Sequence, residues 1–146
     1  MYKKINPNEV MLNSIIFSIK PFYSELILSG EKCFEFRNFK PKNFSSYFWV
    51  YESSPTKKLK YLMEVEEPIV FPNKLNGNSY GVERFNNGSM QCKYAYPIKR
   101  IFMLENPIEY LELKTSYNFT APQAYTYLSN NLKLQNRIKK SSLMIK

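Results

Sequence analysis

The sequence contains no histidine. That absence removes a histidine general base, a Ser-His-Asp triad, a Cys-His pair and any histidine-ligated metal. Cysteine is scarce: Cys33 and Cys92 are the whole complement, and they form no CxxC. Two thiols alone do not complete a structural zinc site, and they read as a reduced pair rather than a disulfide. No apolar run approaches the ~18 residues of a membrane span. Met1–Pro7 lacks the apolar core of a secretory signal. There is no internal repeat and no long linker. The expectation is a single cytoplasmic domain of 146 residues with no membrane, metal or cofactor.

Aromatic and basic residues are what the chain has in plenty. Hydrophobic residues make up 44% and aromatics 16%, chiefly 12 Tyr and 11 Phe. Such a composition packs a core rather than remaining disordered. Lys plus Arg is 21 against 12 Asp plus Glu, a net charge of +9 that favours a polyanionic partner.

Five segments read as strands: Ser14–Ile19, Lys32–Arg37, Tyr47–Tyr51, Leu59–Val65 and Tyr94–Leu104. Each is rich in β-branched or aromatic residues. Pro97 lies inside the last of them, which makes that strand an edge, a bulge or two pieces. Pro21 to Ser29 reads as a helix with Phe22, Leu26 and Ile27 on one face. Pro21 suits its first position and Gly30 its end. Pro107–Leu113 reads as one helical turn and Pro122–Asn131 as a second helix. Asn73–Asn78 and Asn86–Gly88 read as turns around a short element. The tail, Leu132–Lys146, holds Lys133, Arg137, Lys139, Lys140 and Lys146 with no acid, and reads as a solvated arm or a backbone-contacting one. The class is α+β, with a curled or closed sheet that removes exposed edges.

The segment Ser18-Ile19-Lys20-Pro21, followed by Leu26-Ile27-Leu28-Ser29-Gly30-Glu31-Lys32 and Phe34-Glu35-Phe36-Arg37, resembles the opening of an ASCH domain, in the PUA-like superfamily. Val50-Tyr51-Glu52-Ser53-Ser54-Pro55, Tyr94-Ala95-Tyr96-Pro97-Ile98 and Ala121-Pro122-Gln123-Ala124-Tyr125-Thr126-Tyr127-Leu128 continue the likeness in order. It implies a small β-barrel of about five to six strands with two or more short helices at its side. The domain then covers residues 14–128, with an N-terminal extension over 1–13, a variable insertion near 72–92 that matches nothing in the family, and a basic tail over 129–146. The resemblance also implies a cleft beside the first helix that accepts RNA or a modified base. Some members of the family act as nucleases, and one branch removes the acetyl group of N4-acetylcytidine.

The candidate ligand residues are Lys20, Lys32, Glu35, Arg37, Ser53, Ser54, Gln123, Tyr125 and Tyr127. Period-two alternation puts Phe34 and Phe36 on one face of their strand and Cys33, Glu35 and Arg37 on the other. On the residues alone, Lys32 is either a surface cation or a phosphate ligand or base, and Glu35 with Arg37 is either a solvated pair or a recognition pair. An ionised carboxylate only accepts hydrogen bonds, so Glu35 selects donors such as the cytosine amino group, while Arg37 meets a phosphate or a base edge. Ser53 and Ser54 form a turn, or let a ligand approach. Gln123, Tyr125 and Tyr127 would be the far wall of the cleft, where tyrosines stack on bases. Phe34, Phe36, Phe48, Trp49 and Phe102 are assigned to packing.

The favoured function is a nucleic-acid-binding ASCH module with a regulatory role, taking RNA or another single strand into a basic cleft. The first alternative is a hydrolase of RNA or a modified nucleoside, with Lys32 and Glu35 as catalytic candidates. Lys32 matches the catalytic lysine of the deacetylating branch, but Glu35 stands where that branch has its nucleophilic threonine, and its catalytic glutamate has no counterpart here. The second alternative is a phage or mobile-element protein that occupies a host protein or ribonucleoprotein through residues 73–91 and the tail.

Overall fold

Strands form where the sequence concentrates β-branched and aromatic residues. The computed structural model describes Lys4, Ile5 and residues 13–146, so most of the 1–13 extension lies outside the described residues. β1 (Lys4–Ile5) and β2 (Ile15–Ile19) precede α1 (Pro21–Ser29), β3 (Phe34–Arg37), β4 (Tyr47–Glu52) and β5 (Lys58–Val65). β6 (Ile69–Val70), α2 (Val82–Asn86), β7 (Tyr94–Glu109) and α3 (Tyr110–Tyr117) follow. β8 (Thr126–Tyr127), α4 (Leu132–Lys139) and β9 (Leu143–Ile145) complete the order. Among the described residues, the strands of four residues or more are the five expected from the sequence.

The sheet runs β1-β9-β7-β5-β4-β2-β8, with β3 and β6 both paired to the start of β7. β2 and β4 are parallel, and every other pair is antiparallel. A parallel pair needs a crossover, and α1 with β3 supplies it. The path ends on β1 and β8 without closing, so the architecture is an α+β curled half-barrel. Both faces are covered. Ile15, Phe17, Phe48, Val50 and Tyr61 pack inside the curl with Ile27 of α1. Ile16, Trp49, Leu62 and Phe102 pack outward against Leu113 of α3 and Leu134 and Ile138 of α4. Two-sided burial explains why β4 and β5 read as near-continuous apolar runs rather than alternating ones.

Several expectations are corrected. Phe22 is 62% exposed; α1 buries Ile27, as expected, together with Ser24, which bonds the Tyr61 hydroxyl beneath the helix at 2.9 Å. Pro97 does not end its strand. It marks where β7 passes between partners, Tyr94 to Pro97 pairing with β3 and Ile98 onward with β5. Residues 107–109 remain strand, since Leu59 and Lys58 of the long β5 pair with Ile108 and Glu109, and the helix follows at Tyr110. Pro122–Asn131 is not a helix. Thr126 and Tyr127 pair with Ile16 and Ile15 as β8, followed by a single 3-10 turn over Leu128–Asn130. The backbone of this β-branched and aromatic pair covers the open edge of β2.

The basic tail is not a solvated arm. Asn131 caps α4 by accepting the Leu134 N–H at 3.1 Å, and Arg137 reaches Glu112 of α3 at 3.1 Å. Leu134, Ile138 and Leu143 are fully buried, and β9 pairs with β7. Lys133, Lys139 and Lys140 stay outside on the polar face.

Candidate ligand pocket beside the first helix

α1 stops at Gly30, whose φ of +87° is the left-handed conformation that glycine adopts freely. The Lys32 N–H then bonds back to the Leu26 carbonyl at 2.9 Å. This reversal turns Lys32 inward at the entry to β3. Alternation along β3 does the rest, placing Phe34 and Phe36 against the insertion and Glu35 and Arg37 on the opposite side.

The charged residues that the sequence groups together do meet. Lys32 is 6% exposed, Glu35 3% and Arg37 22%. Lys32 Nζ donates to Glu35 Oε1 at 3.0 Å, and Arg37 Nε donates to Glu35 Oε2 at 2.7 Å. Arg37 Nη2 also donates to the Ser18 carbonyl of β2 at 2.8 Å. Aromatic faces surround both cations. The Lys32 ammonium lies 5.0 Å from the Tyr23 ring and 5.8 Å from the Phe36 ring. The Arg37 guanidinium lies 4.6 Å from Phe17 and 5.8 Å from Phe39. Such a buried row is poor evidence of a stabilising role, because desolvation costs several kcal/mol per ion and apolar residues of equal volume serve a core at least as well.

The row faces a cavity of about 380 Å3, within the size range of small-ligand sites. Tyr23 of α1 and Phe36 of β3 line it beside the charges. The remaining wall comes from the segment that matched nothing in the sequence reading: Tyr80, Arg84 and Met90, followed by Cys92. Three cations therefore surround one carboxylate. Gly81 seats this wall. Its φ is +86°, and a Cβ there would come within 2.5 Å of the Phe36 ring. The Tyr80 N–H bonds the Glu31 carbonyl at 3.0 Å, and the Tyr80 and Tyr23 rings stand 6.1 Å apart. Burial pushes the Cys92 thiol up, against the opposing pull of Arg37, so it is not an activated thiolate.

The other expected residues do not line this pocket. Lys20 is exposed at the cap of α1. Ser53 donates from its N–H to the Ile19 carbonyl at 2.9 Å and is ordinary turn chemistry; Ser54 is exposed. Gln123 is exposed. Tyr125 packs against Phe39 with the rings tilted and 4.9 Å apart, and meets Tyr127 at 5.6 Å, and the Tyr127 hydroxyl accepts from the Asn43 N–H at 2.9 Å. These tyrosines form an aromatic layer behind Phe39 rather than a far wall. Of the five aromatics assigned to packing, Phe48, Trp49 and Phe102 are buried in the core, while Phe36 also faces the pocket.

No family model and no curated protein matches the chain. Solved structures do. The crystal structure of the ASCH protein of Zymomonas mobilis superimposes with a TM-score of 0.63 at 21% identity, covering 88% of this chain and 96% of that one. The chain has an ASCH fold. Two variants of the same Zymomonas mobilis ASCH protein, one with a serine replaced by alanine and one with a tyrosine replaced by phenylalanine, superimpose with TM-scores of 0.62 and 0.63 at 20% identity. They cover 90% and 88% of this chain, and 98% and 99% of theirs. Likeness at this identity concerns the ASCH backbone, and the chemistry must be argued from this chain's own side chains.

Proposed function

We propose that this ASCH module binds nucleic acid, taking an amine-bearing base of RNA or another single strand into the pocket beside α1 for recognition rather than turnover. The observation that carries this reading is the buried Lys32–Glu35–Arg37 row facing a cavity with a surplus of cations. A carboxylate offers about four acceptor positions, and Lys32 and Arg37 use two of them. The rest suit the exocyclic amine of cytosine, adenine or guanine, which uracil lacks. Lys32 spends one of three donors on Glu35 and has others for a ring nitrogen or carbonyl of the same base. Tyr23 and Tyr80 supply rings for stacking, which is worth ~1–3 kcal/mol per base.

Recognition is favoured over deacetylation by the lining itself. By its resemblance to the deacetylating branch, Glu35 stands where a hydroxyl nucleophile is expected; the hydroxyls that line the pocket are those of Tyr23 and Tyr80, and burial pushes the Cys92 thiol up. The test is binding of labelled single-stranded RNA across a salt series. Cytidine-rich strands should outbind uridine-rich ones by ~5-fold or more, from the ~1–3 kcal/mol of one good base contact. Lys32→Ala and Arg37→Ala should weaken binding together, and Glu35→Gln should erase the base preference. Salt-independent binding, or equal affinity for both strands, would defeat the reading.

A further inference from the structure

The chain has four arginines. Arg37 holds Glu35, Arg100 holds Glu64 and Arg137 holds Glu112. Arg84 is exposed and pairs with no carboxylate among the described residues, yet it stands at the rim of the base pocket. A second, more open cavity of about 640 Å3 runs along the insertion. Tyr80 and Arg84 line both cavities, so the two are neighbours across that pair of side chains. The second cavity carries no aromatic beyond Tyr80. Its lining is mostly polar, with Lys74 and Arg84 as cations, Glu83 as the one carboxylate and Asn78 and Ser79 between them, which suits a polar chain rather than another stacked base.

We infer that the 73–91 insertion carries the sugar–phosphate backbone of the nucleotide whose base enters the pocket, with Arg84 as the phosphate ligand. The inference rests on the base-pocket reading and narrows it: the ligand is a phosphorylated nucleotide within a strand, not a free nucleoside. A guanidinium presents paired donors that match phosphate oxygens. Arg84 is also held on a fixed base, since its own carbonyl accepts from the Met90 N–H at 3.1 Å and Gly81 locks α2 onto Phe36. A charge without a carboxylate partner among the described residues, rooted on a fixed element between two cavities, gives up no ion pair to meet an anion.

The experiment compares cytidine, cytidine 3′- and 5′-monophosphates and a short cytidine oligonucleotide against the parent chain, Arg84→Ala, Arg84→Lys and Glu35→Gln by calorimetric titration. The parent should bind at least one monophosphate and the oligonucleotide tenfold or more tighter than cytidine. Arg84→Ala should remove that gain and flatten the salt slope for the oligonucleotide by about 0.7, the share of one phosphate. Arg84→Lys should keep part of the gain. Its exposed side chain leaves melting unchanged. If the parent shows no preference for phosphate, or Arg84→Ala keeps it, the inference fails while the base pocket stands. If neither cytidine nor the nucleotides bind, or binding ignores Glu35→Gln, the pocket reading fails and takes this inference with it.

Discussion

Glu35 and Glu52 are alike by every simple measure. Both are buried, at 3% and 4% exposure, and each has a lysine nitrogen close by, at 3.0 Å for Lys32 and 3.1 Å for Lys60. Tyr61 feels the charge of both. Burial pushes its phenol far up, the Ser24 hydroxyl opposes that, and both carboxylates add to the rise. The surroundings differ. Glu52 Oε1 accepts from the Thr56 hydroxyl at 2.7 Å, and its buried Oε2 has no hydrogen bond among the described residues, with the Lys60 ammonium 3.1 Å away as its ion-pair partner. Glu35 has no hydroxyl donor, only two cations and a cavity. A buried, paired carboxylate therefore does not mark a ligand site by itself. What marks one is open space in front of it, with more cations than the carboxylate neutralises.

Truncation should separate the two most sharply. Glu35→Ala strands the Lys32 ammonium, which is 6% exposed, and removing one partner of a buried pair costs about 3–5 kcal/mol. Pocket water softens this, so a loss near the lower end, ~3 kcal/mol, is expected in chemical denaturation, along with loss of base binding. Glu52→Ala should cost less, about 1–3 kcal/mol, the range for leaving buried hydroxyl partners unsatisfied. Lys60 is 25% exposed and can turn to water. Binding by the Glu52→Ala variant, measured on the folded fraction, should match the parent. If Glu52→Ala abolished binding and Glu35→Ala spared it, the roles assigned to the two acids would be reversed.

How much of this was legible depends on whether the deciding contact is local. The five strands and α1 carry their own signals: dense β-branched and aromatic runs, Pro21 at the first turn, Gly30 at the last. Period-two alternation was enough to put Glu35 and Arg37 on one face. The tail was misread because its lysines are conspicuous, while Leu134 and Ile138, four apart behind the Asn131 cap, acquire a partner only once α3 and β7 are in place. Thr126 and Tyr127 are strand because of an edge at Ile15 and Ile16 that local propensity cannot see. The pocket wall was missed for the same reason. The partners that seat this segment, Phe36 for Gly81 and Phe85 and Glu31 for Tyr80, lie in a different part of the sequence.

The smallest effect concerns pH and isolates Glu52. Burial alone would raise its carboxyl, but the Thr56 hydrogen bond, the nearby Ser24 hydroxyl and the Lys60 ammonium outweigh burial and hold it below the usual range. A carboxyl whose folded value is depressed stabilises the fold in full above the unfolded value, ~4.3. That stability is lost as pH falls through the folded value, because the unfolded chain binds the proton first. Melting temperature followed from pH 6 to pH 3 should therefore fall more steeply for the parent than for Glu52→Gln, which keeps the hydrogen-bonding shape and cannot titrate. The two curves should run parallel above pH ~5 and converge below it, since the exposed acids titrate alike in both proteins. Curves that stay parallel down to pH 3 would mean that Thr56 and Lys60 do not favour the charged form of Glu52, and the contrast with the open site at Glu35 would lose its electrostatic half.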